Sequence, residues 1–348
     1  MKNIVSILFY LTLLTIVSCT NKEQSLKTNQ SLRIIEANYP EILFPAALNQ
    51  LEQAHIITQI HNGLMAWDIE NDKPVGQLVN RWVENNNHDK ITFHLHSNIF
   101  FHNDPCFADE KGRQLVSSDV KFSLEYTFWH KAVNNKGIGL LKDIKGGKEY
   151  FESCDNKTFY PGKLPGIKVI DSLTVEISLN EPNPNFIKSL VAADMVILPP
   201  EGIKKYGNDC TVGCGPFIIE KMDKTNRTIE LVKNPNYFKK DSDGKQLPYL
   251  DKVLFIYEAT PAKTLRLIRD QKADLILSIE QDHIKPFVED NIELFEKKFP
   301  DLILQQANGL EETSIYFIKR GVVKNLKYSS LNILYLENVK MESSKTMD

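Results

Sequence analysis

Position singles out one cysteine for chemistry at the start of the chain. Cys19 ends the run Ile16-Val17-Ser18-Cys19, a bulky aliphatic residue followed by small ones. That order suits cleavage before a cysteine whose thiol is then acylated. Lys2 supplies a positive start, and residues 4–16 are apolar apart from Ser6, Thr12 and Thr15. The apolar run is too short to span a bilayer and sits too near a small-residue cleavage site, so it predicts a lipoprotein signal at 1–18. An ordinary signal peptide with an incidental cysteine is the alternative. Acyl chains on Cys19 would anchor the chain, each buried methylene adding about 0.8 kcal/mol. Residues 19–31 are polar and weakly patterned, and read as a flexible tether.

His94, His96, His102, Asp104 and Cys106 form the one cluster with metal-like composition. His94 and His96 share a face if their segment is a strand, as chelating pairs can. A solvated strand face followed by a loop explains the same residues, and no metal site is assigned. Cys106, Cys154, Cys210 and Cys214 remain after Cys19. In an oxidising exterior four cysteines allow three pairings. Cys210 and Cys214 are spaced like half a zinc site, but the second half is missing. Asp241-Ser242-Asp243-Gly244 resembles the opening of a calcium loop, yet its glycine comes too early and no glutamate closes it, so it reads as a turn. No nucleophile elbow, zincin motif or phosphate-cradling loop occurs. The sequence therefore names no catalytic residue, calls for no cofactor and does not point to an enzyme. A net charge of −3 gives no electrostatic reason to bind nucleic acid.

The surrounding elements read as α/β. Residues 32–36 are β-like until Asn38-Tyr39-Pro40 breaks them. Apolar residues at Leu48, Leu51, Ile56, Ile57, Ile60 and Leu64 predict a helix over 46–64, ended by Gly63. Residues 67–74 form a turn between short strands. Residues 90–96 alternate, with Ile91, Phe93 and Leu95 inward. Ser118 and Asp119 precede a capped helix over 120–128. Residues 166–179 predict a hairpin, and 215–220 with 228–232 another. A strand at 253–257, an amphipathic helix at 261–272 and a strand at 275–279 follow. The 348 residues suggest two domains or more. After about Gly321 no clear element boundary is visible, and the end reads as an irregular tail.

The order of these stretches resembles the family 5 extracellular solute-binding proteins, the dipeptide, oligopeptide and nickel type that feed ABC importers. Gly63-Leu64 with Trp67-Asp68 is similar to the family's G-L-x-x-x-D, and Leu78-Val79-Asn80-Arg81-Trp82 to L-A-x-x-W. Ile91-Thr92-Phe93-His94-Leu95 resembles y-t-F-x-L-R, with His96 in place of the arginine. Phe101-His102-Asn103-Asp104 resembles F-H-D-G, and Ser118-Asp119-Val120-Lys121-Phe122-Ser123 resembles A-x-D-V-x-F-S. Gly213-Cys214-Gly215-Pro216-Phe217 is similar to G-T-G-P-Y, Asn234-Pro235-Asn236-Tyr237 to N-P-x-Y-W, and Lys272-Ala273-Asp274 to the G-x-x-D closing the next helix. Eight weak matches in order cover residues 32–316. The glycine and asparagine motifs read as fold-making turns.

The resemblance implies a type II periplasmic-binding-protein-like cleft fold with mixed sheets and an extra lobe. Lobe I would combine 32–60 with 167–260, and the extra lobe would be 61–166. The second ligand lobe would start at 261 and reach 320, followed by a divergent tail at 321–348. In this family the chain returns from the second lobe to pack on lobe I. This chain ends before that return is expected, so the second lobe reads as incomplete. Carried over by position, the cleft candidates are Asn38 and Tyr39 after the first strand, Asn103 and Asp104 on a loop, Ser278, Ile279 and Glu280 after the crossing strand, and Tyr316 on the next. The implied function is a lipid-anchored binding component that traps peptides or similar small solutes and delivers them to permease subunits. The implied location is the periplasm or the outer face of the cell membrane. A truncated, non-functional fragment of such a protein is the alternative reading, and a secreted lipoprotein enzyme a third.

Overall fold

The computed structural model describes residues 30–129, 138–154, 163–277, 302–308, 313–319, 323–328 and 334–342. Cys19, Ser278, Ile279 and Glu280 lie outside the described residues, and Tyr316 is described as a backbone position. The chain opens with β1 (Ser31–Glu36), a 3-10 turn at Pro45–Ala47 and helix α1 (Leu51–Ile60). A ribbon of β2 (Met65–Asp68) and β3 (Lys73–Gly76) leads to β4 (Val79–Glu84) and β5 (Lys90–Leu95). Helices α2 (Ser117–Trp129), α3 (Ile138–Asp143) and α4 (Gly147–Ser153) precede the hairpin of β6 (Ile167–Asp171) and β7 (Thr174–Ser178). Short helices α5 (Phe186–Ser189) and α6 (Pro200–Tyr206) lead to β8 (Phe217–Asp223) and β9 (Thr228–Lys233). Then come β10 (Lys252–Tyr257), α7 (Pro261–Arg269), β11 (Leu275–Ile276), β12 (Leu302–Asn308) and β13 (Thr313–Lys319).

Strand β1 carries Leu32, Ile34 and Ile35, all buried, so it has buried apolar residues on both faces. A strand apolar on both faces belongs in the middle of a covered sheet. It pairs in parallel with β10 on one side and β11 on the other. The α7 connection between those neighbours therefore crosses over β1, the usual route between parallel strands. The full sheet has seven strands in the order β12-β13-β11-β1-β10-β9-β8. A second sheet, in the order β4-β5-β7-β6, is antiparallel throughout. The alternation of Ile91, Phe93 and Leu95 puts its apolar face on a core shared with Leu124 and Val175.

The hairpin over Ile167–Ser178 corrects one expected boundary. β7 pairs with β5, so this hairpin belongs to the four-stranded sheet and not with the strands of lobe I. Residues Phe186, Leu190, Ile197 and Val212 pack into that same core. The helix expected over 46–64 is also shorter. Gln53 Oε1 accepts from the Asn49 and Gln50 amides at 2.9 and 3.0 Å, which fixes the start of α1 after the separate Pro45–Ala47 turn. α1 itself lies between the cores: Ile57 enters the first, Ile56 and Ile60 the second. No helix among the described residues is long and apolar enough to cross a membrane.

The irregular tail expected after Gly321 is revised for residues 323–328 and 334–342. Leu334, Leu336 and Val339 are at most 1% exposed and sit in the core of the seven-stranded sheet. Val323–Lys324 pairs with Lys340–Met341, and Lys327–Tyr328 with Leu334–Tyr335. Gln30 Nε2 donates to the Met341 carbonyl at 2.8 Å, and the Met341 amide returns a bond to Gln30 Oε1 at 3.0 Å. Gln59 Nε2 donates to the Leu334 carbonyl at 2.8 Å. Glu337 accepts from Tyr237 Oη at 2.6 Å and from Lys239 Nζ at 3.1 Å. Residues 334–341 thus pack on the core around the first strand. The period-two spacing of Leu334 and Leu336 was the local signal. Leu336→Ala should lower unfolding stability by about 2–5 kcal/mol in a denaturant titration, as for other fully buried leucines; a loss below about 0.5 kcal/mol would mean the segment is not part of the core.

Candidate functional site

Three motif stretches meet at the Gly215 peptide. Its carbonyl accepts from His102 Nε2 at 3.1 Å and from Asn234 Nδ2 at 2.9 Å. Its amide donates to the Ile60 carbonyl at the end of α1 at 3.0 Å. The Gly213 amide donates to His102 Nδ1 at 3.3 Å, so Nε2 carries the ring proton. Only glycine allows this approach: a Cβ on Gly213 would lie 2.0 Å from the Ile60 carbonyl oxygen, and one on Gly215 2.4 Å from that of Gln59. Asn234 Oδ1 also accepts from the Asn236 amide at 2.9 Å, which makes Asn234-Pro235-Asn236-Tyr237 a side-chain-stapled turn. The Asp119 stretch is structural too. Asp119 is almost fully buried, accepts both bonds of the Arg113 fork at 2.7 Å and receives the Val116 amide at 2.9 Å. Arg113 reaches Glu201 as well, at 2.7 and 2.9 Å.

The parallel strands β10, β1 and β11 end together, and ligands of open α/β sheets bind beyond such carboxyl ends. Asn38 and Tyr39 follow β1 at that end. Asn38 donates from its backbone and its Nδ2 to Glu52 Oε1, at 3.2 and 3.0 Å. Tyr39 meets Tyr257 edge to face, with ring centroids 5.2 Å apart. Sequence reasoning missed four neighbours: Glu36, the last residue of β1, His55 and Glu52 on α1, and Tyr257 at the end of β10. His55 Nδ1 and Glu36 Oε1 make a close contact, with both side chains fully buried. Burial raises the Glu36 carboxyl above its ordinary range, partly offset by His55. Glu36 Oε2, Tyr39 Oη and Tyr257 Oη are buried without a hydrogen-bond partner among the described residues. Burial likewise raises the Tyr39 and Tyr257 hydroxyls, so both are protonated donors at neutral pH. Three unmet polar atoms at one strand end are unusual, since buried polar groups are normally paired. Glu36 closing an apolar strand, and His55 beside Ile56, were the visible signals.

Asn103 and Asp104 are not part of this group, and the contacts of the two pairs share no residue. Asn103 Oδ1 accepts from the Gly112 amide at 3.0 Å. Asp104 Oδ1 accepts from the Cys106 amide at 2.7 Å and from Tyr206 Oη at 2.8 Å. Tyr316 pairs across β12 with Gln305 in the β12–β13 ladder. The histidines of the metal-like cluster are spread apart in their contacts. His94 Nδ1 meets Thr174 Oγ1 at 3.3 Å, His96 packs on Phe238, and His102 serves the Gly215 turn. Cys106, Cys210 and Cys214 are free thiols. Burial pushes Cys214 up to about 12 and Cys210 up to about 11, which leaves both as unreactive thiols. Asp241-Ser242-Asp243-Gly244 is a turn, with Asp241 Oδ1 accepting from the amides of Asp243 and Lys245 at 3.0 and 2.8 Å.

Taken together, the central parallel strands, the flanking antiparallel sheet and the site at the strand ends define a type II periplasmic-binding-protein fold. OppA of Haemophilus influenzae, solved with the peptide RPPGFSPFR, superposes with a TM-score of 0.65 at 17% identity, over 81% of this chain and 51% of that one. DppA of Helicobacter pylori, solved with the peptide STSA, superposes with a TM-score of 0.62 at 19% identity, over 80% and 51%. The profile of the bacterial extracellular solute-binding proteins, family 5 Middle, matches residues 73–317, and the chain belongs to that family. The periplasmic oligopeptide-binding protein OppA of Salmonella typhimurium is 23% identical over 56% of this chain and 34% of its own length. The dipeptide-binding protein of Escherichia coli is 25% identical over 61% and 37%. The chain therefore matches little more than a third of either curated relative.

Next to the Gly215 turn, His61 is fully buried with neither ring nitrogen partnered. Burial, with His102 nearby, holds it down to about 3, and burial holds His102 down to about 4. An unfolded imidazole titrates near 6.5. These two histidines thus bind fewer protons in the folded chain than in the unfolded one between about 6.5 and 3, and their contribution to stability falls as pH drops through that window. Each such histidine should cost about 1.4 kcal/mol per pH unit inside it. His61→Phe should remove one of the two slopes, about 2 kcal/mol between pH 6.5 and 5, in denaturant titrations at both pH values. An unchanged pH dependence in the variant would mean that His61 is protonated or hydrated in the folded state.

Proposed function

We propose that this chain is the lipid-anchored substrate-binding component of an ABC importer, taking peptides or similar small solutes at the carboxyl ends of β10, β1 and β11. The observation that carries the reading is the trio of unmet polar atoms there, Glu36 Oε2, Tyr39 Oη and Tyr257 Oη, in a chain of the family 5 solute-binding proteins. A ligand able to both donate and accept hydrogen bonds would relieve them. An extended peptide does this with its backbone, which leaves side-chain identity free to vary. The relatives named for oligopeptides and dipeptides support that class. The role is binding, without bond making or breaking. Capture closes an interlobe cleft only if the solute binds the closed form better than the open one. Delivery would be to membrane permease subunits, from a position set by lipid on Cys19. A second reading rests on the limited span of the curated relatives that the chain matches. If the protein lacks the rest of the second lobe, the chain is a fragment without transport activity.

A thermal-shift series with di- to pentapeptides separates these readings. A working binder should gain about 2.7 kcal/mol at a peptide concentration one hundred times Kd. Tyr39→Ala should weaken the best peptide about tenfold in calorimetry. If no peptide raises the melting temperature, the fragment reading stands and the binding role is lost. For the anchor, Cys19→Ser should abolish incorporation of labelled fatty acid and release the chain from washed membranes. Label retained in that variant would rule out Cys19 as the acylated residue.

A further inference from the structure

A groove of about 580 Å³ lies apart from the strand-end site, between the 98–112 loop and the 235–246 loop. That volume falls in the range of small-molecule sites. Phe100 and Phe238 supply its apolar surface, and Phe100 is 43% exposed, which is rare for a phenylalanine in this chain. Lys111 and Lys240 supply charge, and Asn103 and Asn236 supply amides. No aspartate or glutamate lines it. Neither lysine has an ion pair among the described residues, whereas the neighbouring Lys239 is matched by Glu337.

Both walls are set in place before any ligand arrives. On one side Asn103 Oδ1 holds the Gly112 amide at 3.0 Å, next to Lys111. A Cβ on Gly112 would lie 1.8 Å from the Phe101 carbonyl oxygen, so this loop packs as tightly as the backbone permits. On the other side Lys240 is bridged to Gln246, whose Nε2 donates to the Lys239 carbonyl at 2.9 Å. His96 packs under Phe238, with ring centroids 5.6 Å apart. Walls fixed in this way lose little freedom on binding.

We propose that this groove is a second binding site for a small solute that carries a carboxylate or phosphate beside an apolar face. Lys111 and Lys240 meet the anion, and Phe100 and Phe238 meet the apolar face. The site is independent of the peptide reading, because none of its residues touches the Glu36, Tyr39 and Tyr257 group.

Calorimetry on the full chain with phenyl phosphate, phenylacetate, inorganic phosphate and benzyl alcohol tests it. At least one aromatic anion should bind below about 10 mM, and benzyl alcohol about tenfold more weakly. The stronger of the two anions identifies phosphate or carboxylate as the natural group. Lys111→Gln combined with Lys240→Gln should weaken the anion about tenfold and leave benzyl alcohol unchanged. Phe100→Ser should weaken the aromatic anions but not inorganic phosphate. Tyr39→Ala should leave every one of these affinities unchanged. Should the double variant fail to fold, raising salt from about 0.01 to 1 M must weaken the anions, and not the alcohol, in the unaltered chain. No heat from either aromatic anion, equal binding by the folded double variant, or affinities that ignore salt would each overturn the proposal.

Discussion

The carbonyl of Gly215 is the point on which the molecule's assembly turns. Its oxygen accepts one hydrogen bond from His102, which follows β5, and another from Asn234, which follows the β8–β9 hairpin. The amide of the same residue closes on the end of α1. α1 in turn contributes Ile57 to one core and Ile56 and Ile60 to the other. The helix and this peptide thereby tie the two sheets together, at a place where a side chain would not fit. Such a joint fixes where β1 can end, and with it the position of Glu36 and Tyr39.

Local period made much of the fold legible. Ile91, Phe93 and Leu95 alternate as their strand does, and both predicted hairpins over 166–179 and 215–232 form, because pairing between chain neighbours needs no distant information. The turn motifs were readable as turns, but not by partner. His102 reaches Gly215 across 113 residues, a contact with no trace in nearby sequence. The boundary at Ile167 was misplaced for the same reason: a hairpin carries no mark of which sheet it will join.

The site was legible only in part. Asn38 and Tyr39 follow from their place after a strand, whatever their surroundings. His55 and Glu36 depend on α1 packing across the strand end, and polar residues on apolar faces look like errors until the partner is known. Asn103 and Asp104 were placed by motif position, yet each side chain is already engaged, Asn103 by the Gly112 amide of its own loop and Asp104 by the Cys106 amide and by Tyr206 at the end of α6. Motif position reports where the chain must turn, and a turn residue often spends its side chain on the turn.

The paired bonds between Gln30 and Met341 join residues 311 positions apart. The core around β1 also needs Phe217, Val253 and Leu336 before it is dry. Synthesis runs in one direction, so β1 waits for residues some 311 positions further on before these hydrophobic surroundings are complete. Contacts that span so much chain form slowly. A nascent chain of this design leaves the ribosome with its central strand unprotected, and depends on being kept from premature association until that later segment arrives.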